Sequence, residues 1–110
     1  MNIRMEYLYR DAGNYKSWGA VVVANAPDPL ALDDIEARAR AALIDSGWFI
    51  ASAAGLPELR GDEWDDELEH DWHELHGFTG TDAPPDDPSG RDVRALLHAL
   101  AASGVRSKSQ

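Results

Sequence analysis

Residues Ile3 to Tyr9 constrain this chain more than any other stretch. Ile3, Met5, Tyr7 and Tyr9 alternate with Arg4, Glu6 and, just beyond, Arg10, which is the period of a strand with one buried face. Such a strand needs strand partners and a covering layer. Leu8 breaks the polar side of the pattern, so that side is expected to be partly covered too. A loop carrying glycines and Asn14, Asp11 to Gly19, leads to Ala20–Ala24. This run, AVVVA, is continuous and β-branched, as suits a central strand covered on both faces. Asn25 to Pro29, NAPDP, stops it, because proline cannot extend a ladder.

The covering layer is legible as two helices. In the first, Asp33 and Glu36 form a variant capping box, with Leu32 as a staple residue. Ile35, Ala39, Ala42 and Leu43 share one face, Asp34–Arg38 and Glu36–Arg40 are i,i+4 pairs, and Gly47 is the expected left-handed cap. Trp48 to Ala53 reads as a third strand, with Leu56 and Leu59 folding back on the core. The second helix carries Val93, Leu96, Leu97, Leu100 and Ala101 as its stripe. Ser89 and Asp92 are its candidate caps and Gly104 its end, leaving 105–110 as a flexible tail beyond a single domain at 1–104.

Residues 62 to 79 decide the rest. As a helix, Trp64, Leu68, Trp72 and Leu75 make an apolar stripe, but unpaired carboxylates repel one another along it. As a strand from about Trp72 to Thr79, the alternation is poor, although GFTGTD reads as a strand end. With the strand, the expected fold is α+β: a small antiparallel sheet in ββαββα order with helices on one face. The alternatives are a β-grasp-like arrangement, or a helix over 62–76.

The segments YLYRDAGNYK, ALIDSGWFIA, GLPEL and HDWHELHGF together resemble a family of small uncharacterised acidic bacterial proteins, over roughly Tyr7 to Pro84. No activity comes with the resemblance. It implies that the HDWHEL block is a turn leading into a strand.

Charge limits function. The 110 residues hold 20 acidic and 10 basic side chains, a net charge of −10. Between Gly61 and Gly90 stand eleven carboxylates and no Lys or Arg. Such a surface repels nucleic-acid phosphates and attracts basic protein surfaces or cations. With no cysteine, disulfides, thiolate metal sites and cysteine nucleophiles are excluded. No run approaches the ~20 apolar residues of a membrane span, and no secretory h-region opens the chain, so a cytoplasmic protein away from membranes is expected.

The histidines of EHDWHELHGF invite a metal reading. His-Glu-x-His falls one residue short of the His-Glu-x-x-His zinc motif. The three histidines do not converge on a helix or on a strand. On a helix alone, Glu69, His73 and His76 share a face at i, i+4 and i+7 and suit a divalent transition metal. That triad is the alternative function: a metal-binding protein or a small metal-dependent enzyme. Ser17, Ser46 and Ser52 lie in no nucleophile context and no phosphate cradle exists, so no catalytic residue is assigned.

The favoured reading is a non-enzymatic module that binds a basic protein through an acidic surface over 62–74, with no cofactor. Its candidate residues are Asp62, Glu63, Trp64, Asp65, Asp66, Glu67, Glu69, Asp71 and Trp72. Carboxylate rows can approach the ~3.4 Å phosphate spacing of a DNA strand, so an inhibitor that mimics nucleic acid is a sharper form of the idea. Arg10, Tyr15, Lys16 and Trp18 form a second candidate surface, because aromatics beside cations are enriched at binding hot spots. The competing reading has Tyr15 and Trp18 folding down to lid the core. Homo-oligomers are compatible with either.

Overall fold

A computed structural model of the chain describes residues 1–10, 15–26, 28–43, 45, 47–57, 59 and 72–108, the last five by backbone alone. The elements follow in the order β1 (Asn2–Arg10), β2 (Lys16–Val23), α1 (Leu32–Ala42), β3 (Trp48–Ile50), β4 (Trp72–Thr81) and α2 (Val93–Lys108). The fold is α+β. The strands form one antiparallel four-stranded sheet in the order β2-β1-β4-β3. Because β1 and β4 run antiparallel, the β-grasp alternative falls: that arrangement pairs its first and last strands in parallel.

The alternation of β1 works as its spacing demands. Ile3, Met5 and Tyr7 are buried in one cluster with Val21 and Val23 of β2, Leu75 and Phe78 of β4, and Phe49 of β3. Ile35 and Ala39 of α1 and Val93, Leu96 and Leu100 of α2 complete it, so both helices cover the same face of the sheet. Leu56 joins the core and Leu59 packs against it. Leu59 lies over Gly19, where a Cβ would meet its methyl carbon at 2.9 Å.

β2 is an edge strand, which corrects its reading as central. Its continuous apolar run has another cause: the segment before α2 wraps the edge. Asp86 donates its N–H to the Val22 carbonyl at 3.0 Å and accepts the Val22 N–H on Oδ1 at 2.7 Å. Val93 then donates to the Ala24 carbonyl at 2.9 Å. Val22, which faces away from the helices, is thereby buried as well.

The 82–92 linker is tied down further by Asp87, whose side chain is fully buried. Its carboxylate accepts from the backbone N–H of Ser89 and Arg91 and from the Arg91 guanidinium at 2.8 and 3.0 Å. Arg91 also donates to the carbonyls of Ala54 and Gly55. The Arg91 hydrogen bonds hold the Asp87 carboxyl below the ordinary carboxylate range.

The helix ends depart from expectation. α1 starts two residues early, at Leu32, with Ala31 as N-cap in place of Asp33 and no side-chain cap. With the N-cap at Ala31, Glu36 falls beyond the third helical position and pairs with Arg40 at 2.8 Å instead. The Asp34–Arg38 pair forms at 3.5 Å. After α1 the left-handed residue is Asp45 (φ 49°), not Gly47. Asp92 does cap α2, accepting from the Ala95 N–H at 2.9 Å. α2 then runs through Gly104 to Lys108 instead of stopping there, because glycine weakens a helix without forbidding it. β3 is only three residues long, Trp48–Ile50, and turns occupy 51–55.

β4 settles the ambiguous segment from Trp72 onward as strand, so the helical alternative is overturned over Trp72–His76. Its poor alternation comes from a β-bulge. Tyr7 lies opposite Leu75 and Glu6 opposite Gly77, so β4 carries one more residue than β1 across that step, and the extra one is His76. The bulge resets the period: His73, Leu75 and Phe78 all point to the helices. Beyond the short β3 the free edge of β4 is covered by other means. Leu75 donates to the Gly47 carbonyl at 2.8 Å, and Arg40 of α1 donates to the carbonyls of Leu75 and His76.

Candidate functional site

The sheet has a second face, turned away from the helices. Register places Trp18, Leu8, Glu74 and Trp48 in one row across β2, β1, β4 and β3 on that face. The Trp18 and His76 rings meet edge to face with centroids 5.0 Å apart. Since β1 lies between β2 and β4, this contact bridges over β1 beside Leu8. Leu8, 5% exposed, lies beneath this contact.

One turn of pleat further along β1, Arg10 grips Glu74. Its Nε donates to Oε2 at 2.9 Å and a terminal nitrogen donates to Oε1 at 3.4 Å, a forked pair on a half-exposed surface. The hydrogen bond that Arg10 donates to Glu74 raises the Arg10 pKa, so this cation keeps its charge throughout the accessible pH range. The face thus combines aromatic edges, a fixed ion pair and an apolar floor.

Of the second candidate surface, Arg10, Lys16 and Trp18 lie together on this face, where Arg10 and Lys16 are cross-strand neighbours. Tyr15 precedes β2 directly. Trp18 is 54% and Tyr15 78% exposed, so neither lids the core as the competing reading would have it. Of the acidic surface, Trp72 is half-buried at the start of β4, and Glu74 pairs with Arg10. Asp62, Glu63, Trp64, Asp65, Asp66, Glu67, Glu69 and Asp71 lie outside the described residues. Sequence reasoning passed over Trp48, Glu74 and His76 as members of the face. The odd apolar Leu8 was the visible signal that something crosses β1 there.

The metal reading loses its geometry. The strand, with its bulge, turns His73 and His76 to opposite faces, so the helical spacing that would bring these two together does not arise over Trp72–His76. His73 is fully buried among Tyr7, Tyr9 and Phe49, with ring centroids 5.2 to 6.1 Å away. Its Nε2 accepts the Leu59 N–H at 3.1 Å. Beside it, the Tyr7 hydroxyl donates to the Pro57 carbonyl at 2.8 Å, and burial pushes the Tyr7 phenol up to about 12. These two bonds dock Pro57 and Leu59 on the sheet, which is a structural task for His73. Among the described residues no group of three or more His, Asp or Glu side chains could hold a metal ion.

Fold and face together define a small α+β domain with one helix-covered sheet face and, opposite it, a face that carries Trp18, His76 and the Arg10–Glu74 pair. Among the described residues no helix is long and apolar enough to cross a membrane. Comparison with protein-family models, with curated proteins and with solved structures finds no match.

Proposed function

We propose that this chain is a non-enzymatic cytoplasmic binding domain directed at a basic protein. The observation that carries the reading is the exposure of Trp18 and Tyr15 beside the Arg10–Glu74 pair. Large aromatics left in solvent on a structured sheet favour a contact surface over a catalytic pocket. The net charge of −10, concentrated between Gly61 and Gly90, supplies long-range steering toward a positive partner. Among the described residues of that stretch, three carboxylates have structural tasks: Glu74 on Arg10, Asp86 on β2 and Asp87 on Arg91. The 62–71 carboxylates, where the charge is densest in the sequence, are the part of the stretch proposed to meet the partner. An inhibitor of a nucleic-acid-binding protein, its carboxylates standing for phosphates, is the specific form this takes.

The test is capture from lysate at low and at ~0.5 M salt, where a Debye length of only a few Å screens the contact. The expected partner is basic, is released by salt, and is lost when Asp62, Asp65 and Asp66 are changed to Asn. Competition by duplex DNA supports mimicry, and indifference to DNA restricts the reading to an ordinary acidic contact. A protein that retains no salt-sensitive basic partner overturns the proposal.

A further inference from the structure

The edge of β2 is open over part of its length, and hydrogen-bond parity says where. In an antiparallel strand, alternate residues direct both N–H and C=O to the same side. Val22 and Ala24 direct theirs to the outer edge, where Asp86 and Val93 take them. The β1–β2 register is unbroken from Val23 to Lys16, so Ala20, Trp18 and Lys16 share that direction. None of these three outward groups makes a hydrogen bond with any described residue. Among the described residues the edge is thus covered from Val22 onward and bare from Ala20 back to Lys16, with Trp18 at its middle.

We propose that this bare edge pairs with the same edge of a second copy of the chain, antiparallel and centred on Trp18. The segment is self-complementary about that centre. Trp18 meets Trp18 of the second copy, and Lys16 meets Ala20, so no like charges stand opposite each other. On β1, Glu6 is the cross-strand neighbour of Ala20. Lys16 of the second copy therefore lies two strand spacings from Glu6, about 10 Å between backbones, with only the Ala20 methyl between them. A lysine and a glutamate side chain together close that gap. Neither Lys16 nor Glu6 has an ion-pair partner among the described residues. Asp86 bounds the register at one end, because it blocks any pairing that slides past Ala20, and a shift toward Lys16 would set like charges opposite each other. The two-fold axis stands perpendicular to the sheet, so both helix layers fall on one side. The open faces join on the other with the two Trp18 rings at their centre. The pairing extends the proposed binding face and leaves it uncovered, so it stands independently of any partner.

The experiment is sedimentation equilibrium of the full chain from ~1 μM to ~1 mM, with amide hydrogen exchange along β2. A monomer–dimer equilibrium is expected, with the Trp18 and Ala20 amides exchanging more slowly as concentration rises. Ala20→Pro removes an outward N–H that β1 does not use, and each dimer contains the change twice. It should weaken dimerisation about tenfold or more. Lys16→Glu and Glu6→Lys should each weaken it, and the double exchange should restore it. A monomer throughout the range overturns the proposal, including one whose β2 edge captures an extended peptide instead. So does a dimer that Ala20→Pro leaves unchanged, or wild-type Trp18 and Ala20 amides whose exchange ignores concentration.

Discussion

At Trp18 the side chain and the backbone meet different neighbours. The ring leans edge-on against His76 and stays over half exposed, while the peptide groups point along the sheet to a bare edge. Replacing the ring should therefore cost little stability and much binding. Trp18→Ala is expected to lower unfolding free energy by about 1 kcal/mol, the value of one edge-to-face contact. The same change should weaken a captured partner by ~2 kcal/mol, roughly thirtyfold. Urea denaturation and a binding titration separate the two. A stability loss nearer ~3 kcal/mol would mean that the ring is part of the core after all. At this scale β1 was readable in full, Leu8 included, because each side chain declares its face by alternation. His73 and His76 were not readable. Their type is the same and their spacing is compatible with several geometries, and only the buried ring against Leu59 and the exposed ring against Trp18 tell them apart.

Elements show where local rules meet tertiary ones. The β4 bulge puts His76 between two stretches that each alternate correctly, so a deletion there has an unusual consequence. Removing His76 should leave His73, Leu75 and Phe78 facing the helices and cost about 1–2 kcal/mol, from the lost ring contact and the Arg40 hydrogen bond. Removing Glu74 shifts the register on one side by a residue, turns His73 outward and should abolish folding. Circular dichroism melts of the two deletions make the comparison, and equal damage from both would refute the bulge. The linker before α2 supplies the second element-scale expectation. The Asp87 carboxyl has a lower pKa folded than unfolded. Its stabilisation is therefore complete above the unfolded value near 3.8 and is lost as pH falls through the depressed folded one. Asp87→Asn should reduce stability at neutral pH by about 3 kcal/mol, since it breaks a buried charged pair. It should also flatten the acid limb of stability against pH. Chemical denaturation at a series of pH values reads both. This linker was legible only as polar and proline-rich, because the carbonyls of Ala54 and Gly55 that orient Arg91 lie over thirty residues away in the chain.

For the whole molecule, charge is the governing quantity. A net charge of −10 on 110 residues destabilises the compact state through self-repulsion, most of it from the acidic half. Raising salt from ~0.02 to ~0.5 M at fixed protein concentration should raise Tm by about 4 °C or more, near 1 kcal/mol, as repulsion is screened. A fall in Tm would show that attractive pairs such as Arg10–Glu74 outweigh the repulsion. The sequence alone determined the α+β class, β1 and both helices, because strand and helix periods and apolar faces are local properties of adjacent residues. It also determined the acidic asymmetry, since charge needs no fold to be counted. Only the tertiary structure decided that AVVVA lies at an edge, that β4 bulges at His76, and that Trp18 belongs to an open face. Each depends on which distant segment supplies the missing hydrogen bonds: Asp86 for β2, Arg40 for β4, and Leu59 for His73. No periodicity along the chain encodes those partners.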